Sequence, residues 1–157
     1  MGTHTKIFLL LIVISVGIAT LVHREPNVSY HFVEYIQNAS LELQLRYHLY
    51  NEMMSRGFTY SDFRLFADRK EGVIKCESNW IQSKNGKTVV SNGNTGLGQI
   101  NESAHKKTYT KMGLDMHNPF DNLTFVVYLY DRDGIAPWKT WSGHCWMGLY
   151  KKLKTSR

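Results

Sequence analysis

The sequence predicts a mainly α domain of the α+β type, and three observations carry that reading. Apolar residues recur at helical spacing in three stretches, at 28–54, 59–77 and 119–131. Between the second and third, Asn85-Gly86 and Asn92-Gly93 surround the β-prone Thr88-Val89-Val90, the composition of a small β-hairpin with polar turns. The 157 residues suit one domain with its own core and leave no room for a second catalytic one.

The first element is a targeting segment. Residues 7–22 form an almost unbroken apolar run, interrupted by Ser15, Gly17 and Thr20. A bilayer span takes about 20 residues, so the run is short. Gly17 and Ala19 supply small residues at the positions a signal peptidase reads. Residues 1–23 therefore read as a signal peptide or a membrane anchor helix, and either one exports the globular part to the periplasm, cell envelope, exterior or virion.

Residues 24–60 read as an N-terminal helical segment. Phe32, Val33, Ile36, Leu41, Leu43, Leu45, Leu49 and Met53 fit one long helix or two, stopped by Gly57. Residues 61–157 form the remaining domain. Thr59 and Asp62 look like the N-cap and first turn of a helix carrying Phe63, Leu65, Phe66, Val73 and Ile74 toward Glu77, with Gly72 a weak point. After the hairpin region, Asn101 caps a helix that runs through Ala104 to Met112, where Gly113 ends it. Asn118-Pro119 then supplies the N-cap and first residue of an apolar helix with Leu123, Phe125, Val126, Val127 and Leu129, broken by Asp133-Gly134 and Pro137.

Charge and cysteines narrow the function classes. Lys6 is the only basic side chain in residues 1–23 other than histidine, and no acid stands there, so 18 basic and 13 acidic residues remain after it, a net +5. A basic exported domain is either simply soluble or attracted to a polyanion such as a bacterial wall. Nucleic acid is not expected, because no concentrated Arg/Lys helix or aromatic-rich strand motif is present. Cys76 and Cys145, an even pair in an exported chain, favour a disulfide tying the Glu77 helix to the C-terminal segment. No Cys-x-x-Cys or His-x-x-x-His spacing supports a metal site, and no cofactor is expected.

The chemistry-bearing residues are Glu77-Ser78, ending a helical pattern, and the Gly-bounded Gln99 about twenty residues later. A carboxyl group that protonates a leaving oxygen at neutral pH needs a raised pKa, which burial beside Trp80 or Ile100 would provide. Each residue also has an ordinary alternative: a solvated helix-end glutamate for Glu77, a buried amide satisfied by backbone for Gln99, and structural hydrogen bonding near a helix start for Asn122.

Glu77-Ser78, the turn-rich stretch, Gly96-Leu97-Gly98-Gln99-Ile100-Asn101 and Pro119-Phe120-Asp121-Asn122-Leu123, in that order, resemble the catalytic domain of the soluble lytic transglycosylases, relatives of goose-type lysozyme. The resemblance spans roughly residues 61–146. It implies a lysozyme-like fold and peptidoglycan glycan strands as substrate, with phage or secretion-machinery proteins as partners. It also implies Glu77 as general acid and then base, Ser78 assisting, and Gln99 and Asn122 holding the site and the sugar. Trp141 is a candidate for stacking on a sugar face, with Trp138 and Trp146 either sharing that role or packing the core.

Hydrolysis of a glycoside ordinarily takes two carboxylates. Between Ser78 and Asn101 there is neither Asp nor Glu, and Glu102 and Asp121 are only distant candidates. The lytic transglycosylase route, which the resemblance implies, needs one carboxyl group because the substrate supplies the nucleophile and a 1,6-anhydro ring forms. A hydrolytic muramidase and a catalytically silent glycan-binding protein are the other readings. The chain departs from the family pattern in three places. Gly98 stands where many members have Met, Val126 where a glycine is usual, and the Trp138 to Trp146 segment replaces the familiar Ala-Tyr-Asn-Ala-Gly, so that only Tyr128 or Tyr130 is left to support the acid.

Overall fold

The computed structural model describes residues 36, 39–139 and 145–155. The leader reading at 1–23, most of the 24–39 stretch and Trp141 lie outside the described residues. The chain divides into two units after Ala39, and the helices and strands from Leu41 onward belong to the second, Ser40–Arg157. That unit is mainly helical with a small antiparallel β region. Among the described residues no helix is long and apolar enough to cross a membrane.

Helix α1, Leu41–Ser55, begins at Ser40, whose side chain accepts the Leu43 N–H. It buries Leu45, Leu49 and Met53, one residue per turn on a single face. Gly57, at φ 80°, ends it as expected. The Gly57 N–H donates to Met54 O and the Phe58 N–H to Met53 O, which satisfies two carbonyls at the helix end.

Helix α2, Tyr60–Ala67, carries the expected capping box at Thr59 and Asp62. The Thr59 N–H donates to Asp62 Oδ2 at 2.9 Å, and the Asp62 N–H donates back to Thr59 Oγ1. The helix does not run on to Glu77 as the apolar spacing predicts. Asp68 leaves the helical region and its Oδ1 accepts the N–H groups of Lys70 and Glu71, a local turn that outcompetes helical pairing. A Cβ at Gly72 would lie 2.6 Å from the Asp68 backbone, so the chain can double back only because residue 72 has no side chain. A separate short helix α3, Val73–Ser78, then bears Glu77 in its last turn.

The single hairpin expected from the sequence is two. Strands β1 (Ser83–Lys84) and β2 (Lys87–Thr88) pair around Asn85-Gly86, and β3 (Val90–Ser91) and β4 (Asn94–Thr95) pair around Asn92-Gly93. All four turn residues have positive φ, between 52° and 77°, which is the geometry Asn-Gly favours in two-residue hairpins. Strand β5, Ile100–Asn101, adds to β4 with Thr95 opposite Ile100.

Helix α4, Glu102–Lys111, is capped by Asn101 and ends before Gly113. Helix α5, Pro119–Asp133, starts at Asn118, whose Oδ1 accepts the Phe120 N–H at 2.9 Å. A 3-10 turn, Ala136–Trp138, and helix α6, Met147–Thr155, complete the unit. Helix α5 is the centre of the core. Its Leu123, Phe125, Val126, Val127 and Leu129 are essentially inaccessible, and α1 and the 3-10 turn pack on it. Helix α2 bridges α1, α3 and α6.

Candidate active site

The site is built around the loop from Thr95 to Ile100, which has to be held because it contains two glycines and no helix. Two buried amides grip its start. Asn122 Oδ1 accepts the Gly98 N–H at 2.9 Å, while its Nδ2 donates to Thr95 O and Met116 O, both at 3.1 Å. Gln82 Oε1 accepts the Leu97 N–H at 2.9 Å, and its Nε2 donates to Met116 O and His117 O. The Trp138 indole N–H closes the far side by donating to Gly98 O at 3.0 Å. Gly96 is obligatory, since a Cβ there would fall 2.4 Å from Asn122 Nδ2 and 2.6 Å from Gln82 Oε1.

This scaffold presents Gln99 in an uncommon backbone state. Gln99 has φ 47°, the left-handed region, and its own N–H and its side-chain Nε2 both donate to Gly96 O. Across from it, Glu77 lies in the last turn of α3, and the two residues after Ser78 are also left-handed, Asn79 at φ 57° and Trp80 at φ 61°. Each such non-glycine residue costs about 1–3 kcal/mol and persists only where surrounding contacts enforce it. Among the described residues, and apart from the two hairpin asparagines, all the positive-φ non-glycine residues adjoin Glu77 or the Gln99 loop.

Glu77 and Gln99 share a groove. One part, about 190 Å³, is lined by Glu77, Gln99, Asn94, Asn101, His105, Trp138 and neighbouring apolar side chains. The other part, about 240 Å³, is lined by Glu77, Gln99, Asn94, Asn92, Ser91, Val89 and Cys76. The β3–β4 hairpin therefore forms one wall and the α4 start with the 3-10 turn forms the other. Glu77 is half-buried, and its Oε1 is shielded from solvent. Among the described residues lining the groove, it is the single carboxylate.

The two distant acids face elsewhere. Glu102 Oε1 accepts the Thr95 hydroxyl and lies 3.6 Å from His117 Nε2, and Asp121 Oδ2 accepts the Asp115 N–H. Among the described residues, no three His, Cys, Asp or Glu side chains converge as a metal centre would require.

No protein-family model, curated protein or solved structure matches the chain. The functional reading therefore stands on these residues and on the ordered motifs.

Asn122 and Ser78 have well-defined partners within the fold. Asn122 is fully buried with both ends of its amide bonded to backbone, the structural hydrogen bonding that is its ordinary alternative in the sequence. Ser78 Oγ donates to Ile74 O at 3.2 Å, one turn back in its own helix, and Ser78 does not line the groove. Of the tryptophans, Trp146 is wholly in the core and Trp138 is a buried clamp on the loop. The expected Cys76–Cys145 disulfide is present and fastens α3, one residue before Glu77, to the start of α6. Tyr130 donates to Asp62 Oδ1 and packs on Phe58 and Phe66, away from the groove residues.

Several groove residues, Asn94, Asn101 and His105 among them, are not singled out as site members by the sequence. Asn94 comes from the second hairpin, whose turn the sequence marks without marking Asn94 as a site residue. Asn101 reads as a helix cap, a role it also has. His105 enters because it lies one turn into α4, facing inward with its ring edge on Phe125. Burial first, then the charge of Arg132, holds the His105 imidazole below its ordinary range against an opposing pull from Asp133. It is a neutral hydrogen-bonding group at neutral pH. Gln82, which anchors the loop from outside the groove, carries no signal in the sequence.

Proposed function

We propose that the protein is an exported lytic transglycosylase with a lysozyme-like fold that cleaves the bond between N-acetylmuramic acid and N-acetylglucosamine in peptidoglycan. Its work is to open the wall for a phage or a secretion apparatus. The observation that supports this reading most is the groove with a single carboxylate, Glu77, facing Gln99. A two-carboxylate hydrolytic mechanism has no second partner among the described groove residues.

In the proposed reaction the Glu77 carboxyl group gives its proton to the glycosidic oxygen as that bond breaks. The acetamido group of the substrate stabilises the cation developing at C1. The Glu77 carboxylate then takes the proton from the muramoyl C6 hydroxyl as O6 bonds to C1, which closes the 1,6-anhydro ring and regenerates the acid. No water is consumed. Oε1 is shielded from bulk solvent, so the proton it would deliver is handed over inside the groove and not in open water. Gln99 and Asn94 supply amides for the sugar, and the neutral His105 adds a ring nitrogen on the same wall.

Glu77→Gln tests the assignment. It keeps size and polarity and removes the titratable proton, so release of soluble fragments from labelled murein sacculi should fall by roughly 100-fold or more. A variant that retains full release would exclude Glu77 as the acid.

A further inference from the structure

The face of α4 turned away from the groove is a lysine ridge. Ser103, Lys106, Lys107, Thr110 and Lys111 follow the i, i+3, i+4, i+7, i+8 spacing and line one shallow concavity open to solvent. The inner face of the same helix carries His105 and the buried Tyr109. One helix thus separates the candidate cleft from a ridge of three lysines.

Several surface cations, chiefly arginines, are balanced, while Lys84, Lys87, Lys151 and Lys154 have no carboxylate of the described residues within 4.0 Å. Arg56 meets Glu52 and Asp131, Arg69 meets Glu42, Arg132 meets Asp133, and Lys152 meets Glu71. On the α4 ridge no carboxylate of the described residues comes within 4.0 Å of Lys106, Lys107 or Lys111. The one acid of this helix, Glu102, turns to Thr95 and His117, away from the ridge. Like charges left together without partners repel, and an external polyanion relieves that repulsion while releasing its counterions.

We infer that this ridge docks an anionic phosphodiester polymer covalently attached to the glycan strand, and so holds the strand while the neighbouring groove acts on it. The inference rests on the peptidoglycan reading of that groove. Two observations favour a wall-bound polymer over a membrane. The concavity is lined by hydroxyls and lysine stems with no Trp, Phe or Leu to insert into lipid. It also lies on the helix whose inner face lines the cleft, so a substituent long enough to cross one helix width, about 10 Å, reaches it from the bound strand.

The test uses the full chain carrying Glu77→Gln, so that binding is read without turnover, with and without Lys106→Gln, Lys107→Gln and Lys111→Gln together. Co-sedimentation is measured with sacculi bearing their phosphodiester polymer and with the same sacculi stripped of it by hydrofluoric acid. Binding to intact sacculi should drop roughly tenfold or more in the triple-lysine variant and weaken steeply with salt, while binding to stripped sacculi is unchanged by the substitutions. Equal binding of both variants to intact sacculi overturns the inference. So does a lysine dependence confined to phosphatidylglycerol vesicles or to duplex DNA. Separately, the protein with native Glu77 and either lysine set is assayed on stripped sacculi. Failure to cleave there refutes the catalytic reading and leaves the lysine-dependent binding standing, so the two failures are told apart.

Discussion

Gly98 and Val126 occupy each other's space. A Cβ at residue 98 would sit 2.2 Å from Val126 Cγ2, far inside contact distance, and Val126 is completely buried. The two departures from the transglycosylase-like pattern, the missing side chain at 98 and the extra one at 126, are therefore one exchange across the interface between the loop and α5. Gly98→Ala should cost about 1–3 kcal/mol through overpacking. Combined with Val126→Ala, which opens the space, its added cost should shrink by about 1 kcal/mol or more in a double-mutant cycle from urea unfolding. Strictly additive costs would show that the two side-chain volumes are not coupled.

The amide of Asn122 makes the same loop sensitive to a change that adds no bulk. Asn122→Ala leaves the Gly98 N–H and the carbonyls of Thr95 and Met116 buried without that partner, a loss of about 3 kcal/mol. Asn122→Asp keeps the acceptor for Gly98 but turns a second acceptor toward two carbonyls, and should be no better. Thermal unfolding of the two variants checks this. A stable Asn122→Asp would show that the amide orientation is not what matters.

The disulfide joins residues 69 positions apart, for which the chain-entropy account gives about 4 kcal/mol of stabilisation. Cys76 adjoins Glu77 and lines the groove, so reduction should lower the unfolding temperature and also reduce fragment release below that temperature. Parallel assays of the oxidised protein and the Cys76→Ser, Cys145→Ser double variant separate the effects. Unaltered activity in the folded double variant would limit the bond to stability alone.

His105 sets an acid limb. Its imidazole is held below the ordinary range in the folded state, so on acidification the unfolded chain takes the proton first. Its stabilising contribution is therefore complete above the unfolded value of about 6.5 and is lost as pH falls toward the lower folded value. His105→Gln should flatten the stability-versus-pH curve on the acid side of about pH 7 relative to the parent. Parallel curves for the two proteins would count against a buried, neutral His105.

Much of this fold is legible in the sequence because it depends on local chemistry. Thr59 with Asp62, Asn101 and Asn118-Pro119 cap the expected helices, and Gly57 and Gly113 end theirs, since caps and left-handed stops act within one turn. The split between α2 and α3 is hidden, because apolar spacing continues through a turn that Asp68 closes and Gly72 permits. The hairpins are undercounted because their strands are two residues long, too short for alternation to show. In the site, Glu77 and Gln99 pair from order alone. The loop anchors Gln82 and Trp138 do not, because they reach it from 15 and 40 positions away through contacts that only folding makes.

The central claim is that Glu77 works alone and that the substrate supplies its own nucleophile. Mass spectrometry of muropeptides released from purified sacculi tests it most directly. The account predicts 1,6-anhydromuramoyl ends, about 18 Da lighter than hydrolysed ends for loss of one water, and their disappearance with Glu77→Gln. Products ending in reducible muramic acid would contradict it, for they require a water and a second catalytic group that the described groove residues do not supply.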